Sequence, residues 1–341
     1  MSIPIYINGA TALTIQNTLS GFFPNDFISY HQPFVQAKDP EFKEHIPPMI
    51  SRRMSRIIKR AVTVSQMALK EAQITMPDAI IFGTGLGCIE DTEKFLNAVL
   101  DQDEQFLQPS FFIQSTHNTI ASQVAMRLGC HGYNNTLVQR YLSFESALLD
   151  ACLLFEEGKV CSILTGGHDE LTPTYFTLLN KAGYYSYNEA TNTGNFAGEG
   201  SVSFVLEREC KESSYAVIQS LEMNYFSDKD VSFSSVAIPF LRRQGVALDE
   251  LCAIFTACTE DDMGMKVYRD INLFTGIPHI PYMKYCGAFF TASAFGLWLA
   301  ANYLRSDFLS DCSKKPYILL HNHSFGKHHS VMLIKKMERD R

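Results

Sequence analysis

Short apolar segments that alternate with helical periodicity constrain the fold of this chain more than any other feature. In the segment 54–72 the apolar residues recur at helical spacing, with one face formed by Ile57, Ala61, Val64, Ala68 and Ala72. Strand-like runs lie at 79–82, 160–164, 202–206, 217–218, 252–255, 317–320 and 331–334. Strands that alternate with amphipathic helices predict an α/β fold.

The order of these segments repeats along the chain. After the helix at 54–72, "PDAIIFGTGLG" supplies a turn, a strand and a Gly-rich turn, and later "ALDELCAIFTACTE" supplies a short helix, a strand and a loop. A chain of 341 residues is also longer than the usual single core. We therefore predict an internal duplication, with halves at 1–208 and 209–341 joined by the polar stretch "ERECKESSY".

Charge and cysteine content disfavour several kinds of partner and compartment. With 36 Asp and Glu against 29 Lys and Arg, the net charge of −7 argues against nucleic acid or an anionic membrane as a partner. The nine cysteines contain no Cys-x-x-Cys pair, as expected of reduced thiols in the cytoplasm. The start "MSIPIYINGATALTIQ" has no basic leader, so we predict a cytoplasmic protein.

The uncharged segment 287–304 is rich in small residues and predicts a buried helix rather than a membrane span.

One strand-to-helix turn has the layout in which enzymes often mount a nucleophile. In "TLVQRYLSFESALLDACLLFEEGK", residues 136–159, an apolar strand precedes a helix whose apolar residues recur at spacings of three and four. Tyr141 stands at the turn, where a serine or cysteine would be expected. A phenol, with an ordinary pKa near 10, is a poor nucleophile.

The Gly-rich turn "GTGLG", residues 83–87, allows two interpretations. Glycines before a helix can present backbone N–H groups to a phosphate. The spacing is not that of a P-loop, however, no Lys-Ser or Lys-Thr pair follows, and no ribose-binding acid can be identified. A plain tight turn is therefore favoured, and no cofactor is predicted.

Several segments, taken in order, resemble the β-ketoacyl synthases, the condensing enzymes of the thiolase fold that extend acyl chains on acyl carrier protein. These segments are "GTGLGCIEDTEKFL", "LQPSFFIQSTHNTIASQVAMRLGCHGYNNTLV", "LTGGHDE", "NFAGEGSVSFVLE" and "LLHNHSFGKHHSVMLI". The resemblance covers most of the chain. It implies a thiolase-like fold of two duplicated halves in a five-layered α-β-α-β-α arrangement.

The same resemblance sets four residues of this chain at the family's catalytic positions. The cysteine of the Thr-Ala-Cys pattern corresponds to Tyr141, and the first histidine, of a His-Gly-Thr-Gly-Thr motif, corresponds to Thr256 in "FTACTEDD". The second histidine corresponds to Ala288 in "GAFFTASAF", and the active-site lysine five residues earlier corresponds to Met283. None of these side chains replaces a thiolate or an imidazole. The resemblance thus implies that both condensation and malonyl decarboxylation are lost.

A condensing-enzyme fold without its catalytic groups resembles the chain-length factors, which pair with an active ketosynthase and help to shape its acyl tunnel. The expected partners are therefore an active ketosynthase, or a second copy of this chain, and acyl carrier protein. The gate of the site is expected around Phe325, Gly326 and Lys327, where the family's Gly-Phe-Gly-Gly turn is shortened. The segment "STHNTIASQVA" also resembles ketosynthases of bacterial aryl-polyene clusters.

Two other functions stay open. One is a divergent β-ketoacyl-ACP synthase that uses other residues, with Cys258 and His323 as candidates. Against it, none of Cys152, Cys161, Cys258 and Cys286 stands at a strand-to-helix turn, and free cysteines are commonly small buried hydrophobes. The other is a free-standing module that binds acyl carrier protein without a ketosynthase.

The side chains near the turn have simple structural expectations. The Tyr141 ring could fill the vacated pocket or project toward a partner's tunnel, and we favour filling, with one internal hydrogen bond. Arg140 and Glu145 could pair with each other or with another chain, and we favour a structural salt bridge between them.

The histidines of "HNHSFGKHH" raise the question of a metal site. Strand alternation puts His321 and His323 on one face. His328 and His329 follow nearby, but no Cys or carboxylate completes a first shell, so no metal is predicted.

Overall fold

A ten-stranded mixed sheet organises the computed structural model, which describes residues 4–19, 27–101, 109–185, 187–188, 191, 194–227, 231–258, 266–306 and 315–338. The strands are β1 (Ile5–Leu13), β2 (Ala79–Gly83), β3 (Tyr133–Leu137), β4 (Ser162–Asp169), β5 (Gly200–Glu207), β6 (Ala216–Tyr225), β7 (Leu251–Thr256), β8 (His279–Pro281), β9 (Tyr317–Ser324) and β10 (His328–Lys336). The α-helices are α1 (Pro48–Ser51), α2 (Arg56–Ala72), α3 (Ile89–Asp101), α4 (Pro109–Ser115), α5 (Thr119–Leu128), α6 (Ser143–Glu156), α7 (Pro173–Lys181), α8 (Phe233–Gln244), α9 (Met283–Cys286) and α10 (Ala292–Arg305).

The strand order is β3-β2-β4-β5-β1-β6-β10-β9-β7-β8. The arrangement of strands in one half of the sheet recurs in the other half. Each half contains a strand, β2 or β7, that pairs in parallel with both of its neighbours, and the other pairings are antiparallel. The two halves of the sheet join where β1 pairs with β6. The predicted boundary at 208 and 209 lies in the connection between β5 and β6, and the division into two domains stays a prediction.

Buried side chains on alternating faces of the strands define the layers. On β2, Phe82 packs with α2 and α5, whereas Ile81 points to the other face and belongs to the hydrophobic cluster that contains α6 and α10. On β7, Phe255 belongs to the same α6 and α10 cluster, and Ile254 packs with α8 on the far side. The resulting order of helix, sheet, helix, sheet and helix is that of the predicted five-layered, thiolase-like fold.

Strand β1, in the middle of the sheet, is absent from the predicted strands. Its centre carries the polar Asn8, whose amide donates to Glu207 at 2.6 Å and whose carbonyl accepts from Ser214 at 2.5 Å. The next residue, Gly9, allows α2 to approach closely, because a Cβ there would lie 2.1 Å from the Ala68 carbonyl oxygen. These long-range contacts satisfy the buried Asn8 side chain within an otherwise largely apolar strand.

The uncharged segment 287–304 forms the central helix α10, which begins at Ala292 rather than near Gly287. Nearly all of its side chains are buried in the layer that it shares with α6. The segment is therefore a buried helix, as predicted. None of the helices within the described ranges combines the length and the apolarity that a membrane span requires.

Candidate functional site

A short 3-10 segment, Arg140–Leu142, forms the turn between β3 and α6. Arg140 adopts a φ of +51°, in the left-handed region that residues with side chains rarely occupy. Asn322, on β9, holds the turn from the other half of the chain, because its Nδ2 donates to the Tyr141 carbonyl oxygen at 2.7 Å. The turn that the sequence singles out is thus fixed by a contact between the two halves.

A cavity of about 130 Å³, the Tyr141 cavity, lies beside this turn. Its lining residues come from both halves and include Tyr141, Met283 and Ala288, three of the four residues that the resemblance sets at catalytic positions. Phe325 of the expected gate also lines it. The other lining residues are Gly183, Tyr184, Tyr185, Asn195, Ala257 and His323.

Thr256, expected at the first histidine position, does not line the cavity. Its Oγ1 lies 2.6 Å from His279 Nε2, and its neighbour Ala257 contributes to the cavity wall instead. Successive residues of a strand point to opposite faces, so a difference of one residue in register moves a side chain away from the site. The end of the "FTACTEDD" segment, from residue 259, lies outside the described residues.

Aromatic rings pack around Tyr141. Its ring centroid lies 4.8 Å from that of Phe290, 6.2 Å from Phe325 and 6.4 Å from Tyr184. The Phe290 ring in turn occupies the space over Gly85, where a Cβ would lie 2.3 Å from Phe290 Cβ. The expected internal hydrogen bond is not made, because within the described ranges no group bonds to the Tyr141 hydroxyl. Burial raises the pKa of this phenol, which makes it a still poorer nucleophile.

The expected salt bridge between Arg140 and Glu145 is wrong. Glu145 is fully buried beneath the turn, and its Oε1 accepts from Asn322 Nδ2 at 2.7 Å and from Ser330 Oγ at 3.0 Å. Burial raises the pKa of this carboxyl, although its hydrogen bonds oppose the shift. Arg140 lies at the surface, where it donates to the Tyr184 hydroxyl and its guanidinium lies 5.8 Å from the centroid of that ring.

Three histidines of the β9–β10 hairpin cluster next to the cavity. Their ring centroids are 5.3 to 6.1 Å apart, and His321 and His323 share a face of β9, as strand alternation predicts. The Tyr268 hydroxyl accepts from the Ala257 N–H at 3.1 Å and lies 2.9 Å from His321 Nδ1, while His321 Nε2 lies 3.0 Å from His329 Nδ1. The His323 ring nitrogens are shielded from solvent and lack a hydrogen-bond partner within the described chain.

The histidine cluster is uncharged at neutral pH. Burial lowers the pKa of His323 to about 3, and it lowers the pKa values of His321 and His329 in the same direction. Across the ranges that the structure describes, no group of three or more His, Cys, Asp or Glu side chains is arranged to hold a metal ion.

The Asp169 junction, formed by Asp169 with Thr84, Gly85, Leu86 and Thr291, connects the two halves. Oδ1 accepts from the Thr84 hydroxyl and from the N–H groups of Gly85 and Leu86 at 2.8 to 3.1 Å. Oδ2 accepts from the N–H and hydroxyl of Thr291, next to α10, at 2.8 to 2.9 Å. The N–H groups of the Gly-rich turn thus bind the protein's own carboxylate, which favours the plain turn over a phosphate site. No pattern in the sequence indicates that Asp169 contacts Thr84 or Thr291, because these residues lie far apart along the chain.

The four cysteines considered as alternative nucleophiles stay outside the Tyr141 cavity. Cys258 and Cys286 are buried, and the Cys258 Sγ lies 3.1 Å from Thr256 Oγ1. Burial raises the pKa of Cys152 to about 12 and also raises that of Cys286, which disfavours the reactive thiolate. Cys161 is exposed.

Comparison with known proteins places these features in a family. Residues 29–218 match the family model described as the N-terminal domain of beta-ketoacyl synthase. A 3-oxoacyl-[acyl-carrier-protein] synthase 2 from Synechocystis sp. is 26% identical over 157 residues, which are 44% of this chain and 37% of that protein. The match thus spans little more than a third of the length of this curated relative.

Solved structures are similar over the whole chain. The ishigamide ketosynthase/chain length factor has a TM-score of 0.82 at 17% identity, with 99% of this chain and 100% of that chain covered. A type II polyketide synthase acyl-carrier protein in complex with its ketosynthase, AntDE:AntF, gives a TM-score of 0.76 at 14% identity, with 99% and 100% covered. At such identities the likeness establishes the thiolase-like fold.

Proposed function

The chain belongs to the β-ketoacyl synthase family, and from that premise we propose that it is a non-catalytic, ketosynthase-like subunit of the chain-length-factor type. It pairs with an active β-ketoacyl-ACP synthase and helps to shape the acyl tunnel of that partner. The pair works in polyketide, polyene or fatty-acid biosynthesis, and acyl carrier protein delivers its acyl chains.

The Tyr141 cavity is the observation that supports this proposal most. Condensation needs a thiolate at the turn, but the turn presents a phenol whose pKa burial raises. Ala257, Met283 and Ala288 provide neither an imidazole nor an amine, and the imidazole in the wall is that of His323. A volume of about 130 Å³ is also below the roughly 300–1,000 Å³ typical of small-molecule sites. A long acyl chain is therefore expected to lie in the partner.

The open edge of the sheet supports pairing with another chain. Among the described strands β3 is terminal, and a strand with a free edge is a template for a strand of a second chain. Exposed apolar side chains lie just after β3 at Val138 and on the adjoining helix α6 at Leu149 and Leu153. A partner strand along β3 would cover such side chains and would bring its own site close to Tyr141.

Co-expression with an active ketosynthase from the same organism tests the pairing. Size-exclusion chromatography of the purified mixture is expected to give a one-to-one complex that Leu149→Lys and Leu153→Lys weaken, because each buries a charge in an apolar interface. Leu178→Lys, on the exposed face of α7, is the matched control and should leave the complex intact. Homodimers alone, with a ketosynthase that is fully active without this chain, would contradict the proposal.

One observation favours the second candidate function, a divergent β-ketoacyl-ACP synthase. His323 lines the cavity together with Tyr141, and within the described ranges its ring nitrogens are unpartnered. A neutral imidazole in that position is a candidate general base, although its pKa of about 3 makes it a weak one. Turnover by the purified chain alone, abolished by His323→Ala or Cys258→Ala, would support this enzyme.

A further inference from the structure

A second and more open cavity, which we call the basic groove, adjoins the Tyr141 cavity. It has a volume of about 440 Å³, and its lining includes Gln139, Arg140, Leu142, Lys327 and His328. The two cavities share one side chain, Phe325, which is 54% exposed. The groove is thus separate from the space that Tyr141 fills, although it lies next to it.

Among the described residues that line the basic groove, Arg140, Lys327 and His328 have basic side chains and none is acidic. Arg140 donates to a neutral hydroxyl, that of Tyr184, and within the described ranges neither Arg140 nor Lys327 has a carboxylate partner. The chain as a whole has a net charge of −7, so a groove with cations and no counter-ion runs against its composition.

The first two carboxylates on the adjoining helix α6 do not neutralise the groove. Glu145 points into the protein and accepts from Asn322 and Ser330. Asp150 accepts from Tyr133 and Asn135 on β3. The positive end of the α6 dipole lies at Ser143, directly after the segment that lines the groove, and adds to its positive potential.

The backbone at Arg140 indicates that its side chain is needed there. A φ of +51° suits glycine, and a residue with a side chain is strained there. The Thr-Ala-Cys pattern of the active enzymes has alanine in this position, so the cation is a property of this chain. A guanidinium held by a strained residue, with no carboxylate beside it, is suited to a ligand.

We propose that the basic groove binds the oxyanion of a small organic molecule, a phosphate or a carboxylate. The Arg140 fork and the Lys327 ammonium donate charge-assisted hydrogen bonds to the oxyanion. The groove is larger than a bare anion, so the organic portion of the molecule packs against Leu142 and Phe325. The groove lining begins at Gln139, directly after Val138 of the pairing surface, and all of the residues named here belong to this chain.

Isothermal titration calorimetry on the full chain alone, at low ionic strength, tests the site with inorganic phosphate, phenyl phosphate and benzoate. Saturable binding is expected, and at least one organic probe should bind with higher affinity than inorganic phosphate. Tighter phenyl phosphate identifies a phosphate ligand, and tighter benzoate identifies a carboxylate. Because no ketosynthase is present, failure here is distinguishable from failure of the pairing.

The decisive variant is Arg140→Gly, which removes the cation while it suits the backbone at φ +51°. We expect binding to weaken at least about tenfold, because a hydrogen bond to a charged group contributes more than a tenfold change requires. Lys327→Gln should weaken it as well. Arg127→Gln, an exposed cation on α5, is the control with the same change in charge. No saturable binding, or equal affinity in all three variants, would overturn the proposal.

Discussion

The Asp169 junction and the Tyr141 cavity differ in how far their polar groups are hydrogen-bonded. Both oxygens of Asp169 are saturated by five hydrogen bonds from both halves of the chain. In the cavity, the Tyr141 hydroxyl and the His323 ring nitrogens lack partners within the described ranges, and aromatic rings occupy the space. The polar contacts that hold the two halves together are thus satisfied, whereas those in the cavity are not, as the proposed non-catalytic role would lead one to expect.

The largest effect is expected at the junction. Asp169→Ala leaves five buried donors without an acceptor and should lower the free energy of unfolding by about 4 kcal/mol. The urea midpoint, followed by circular dichroism, measures the change. Asp249→Ala removes an exposed carboxylate and should change the stability by less than about 0.5 kcal/mol. If the two variants unfold alike, the junction does not hold the halves together.

Acid should lower the free energy of unfolding through His323 at the Tyr141 cavity, and this effect is expected to be intermediate in size. The folded pKa of His323 is about 3, below its ordinary value near 6.5, so its contribution to stability is complete above that ordinary value and is lost as the pH falls toward 3. At pH 5 the loss should be about 2 kcal/mol, since 1.5 pH units cost about 1.36 kcal/mol each. Burial shifts His321 and His329 in the same direction.

Urea midpoints at pH 7 and pH 5 measure this effect. His323→Phe should lose less stability between the two pH values than the wild type does. His131→Phe, which replaces an exposed histidine, should keep the full loss. An equal loss in all three proteins would mean that His323 is not a buried neutral imidazole.

The smallest effect is expected at Tyr141 itself. Since its hydroxyl has no partner among the described residues, Tyr141→Phe should change the free energy of unfolding by less than about 0.5 kcal/mol. Tyr268→Phe is the matched comparison, because that hydroxyl bonds to Ala257 and His321 and its loss should cost about 1–3 kcal/mol. Equal costs in urea unfolding would reveal a partner for the Tyr141 hydroxyl and break the contrast between the two regions.

The sequence predicts the features of the structure that depend on local pattern. The core face of α2 and the strands that follow apolar runs agree with it. The resemblance, not the local pattern, set Tyr141, Met283 and Ala288 at one site; all three line the same cavity, and their roles stay a prediction. The sequence misses what long-range contacts decide. The sequence does not predict β1, because the polar Asn8 interrupts its apolar pattern. At the end of β7, Ala257 lines the cavity, whereas the sequence points to Thr256, one residue earlier.

The predicted salt bridge between Arg140 and Glu145 is wrong for a similar reason, because long-range contacts decide where the two side chains lie. Arg140 and Glu145 are close in sequence, but the turn sends one side chain to the surface and buries the other under β9. Neither the positive φ of Arg140 nor the reach of Asn322 from the other half of the chain has a signal in the local pattern.

The most direct test of the central claim is the intact mass of this chain after incubation with acyl-loaded acyl carrier protein, with and without an active ketosynthase. We predict no acyl adduct on this chain in either condition and an adduct on the ketosynthase when both are present. An acyl adduct on this chain alone, located by peptide mapping, would reveal a working nucleophile and contradict the assignment of a non-catalytic subunit.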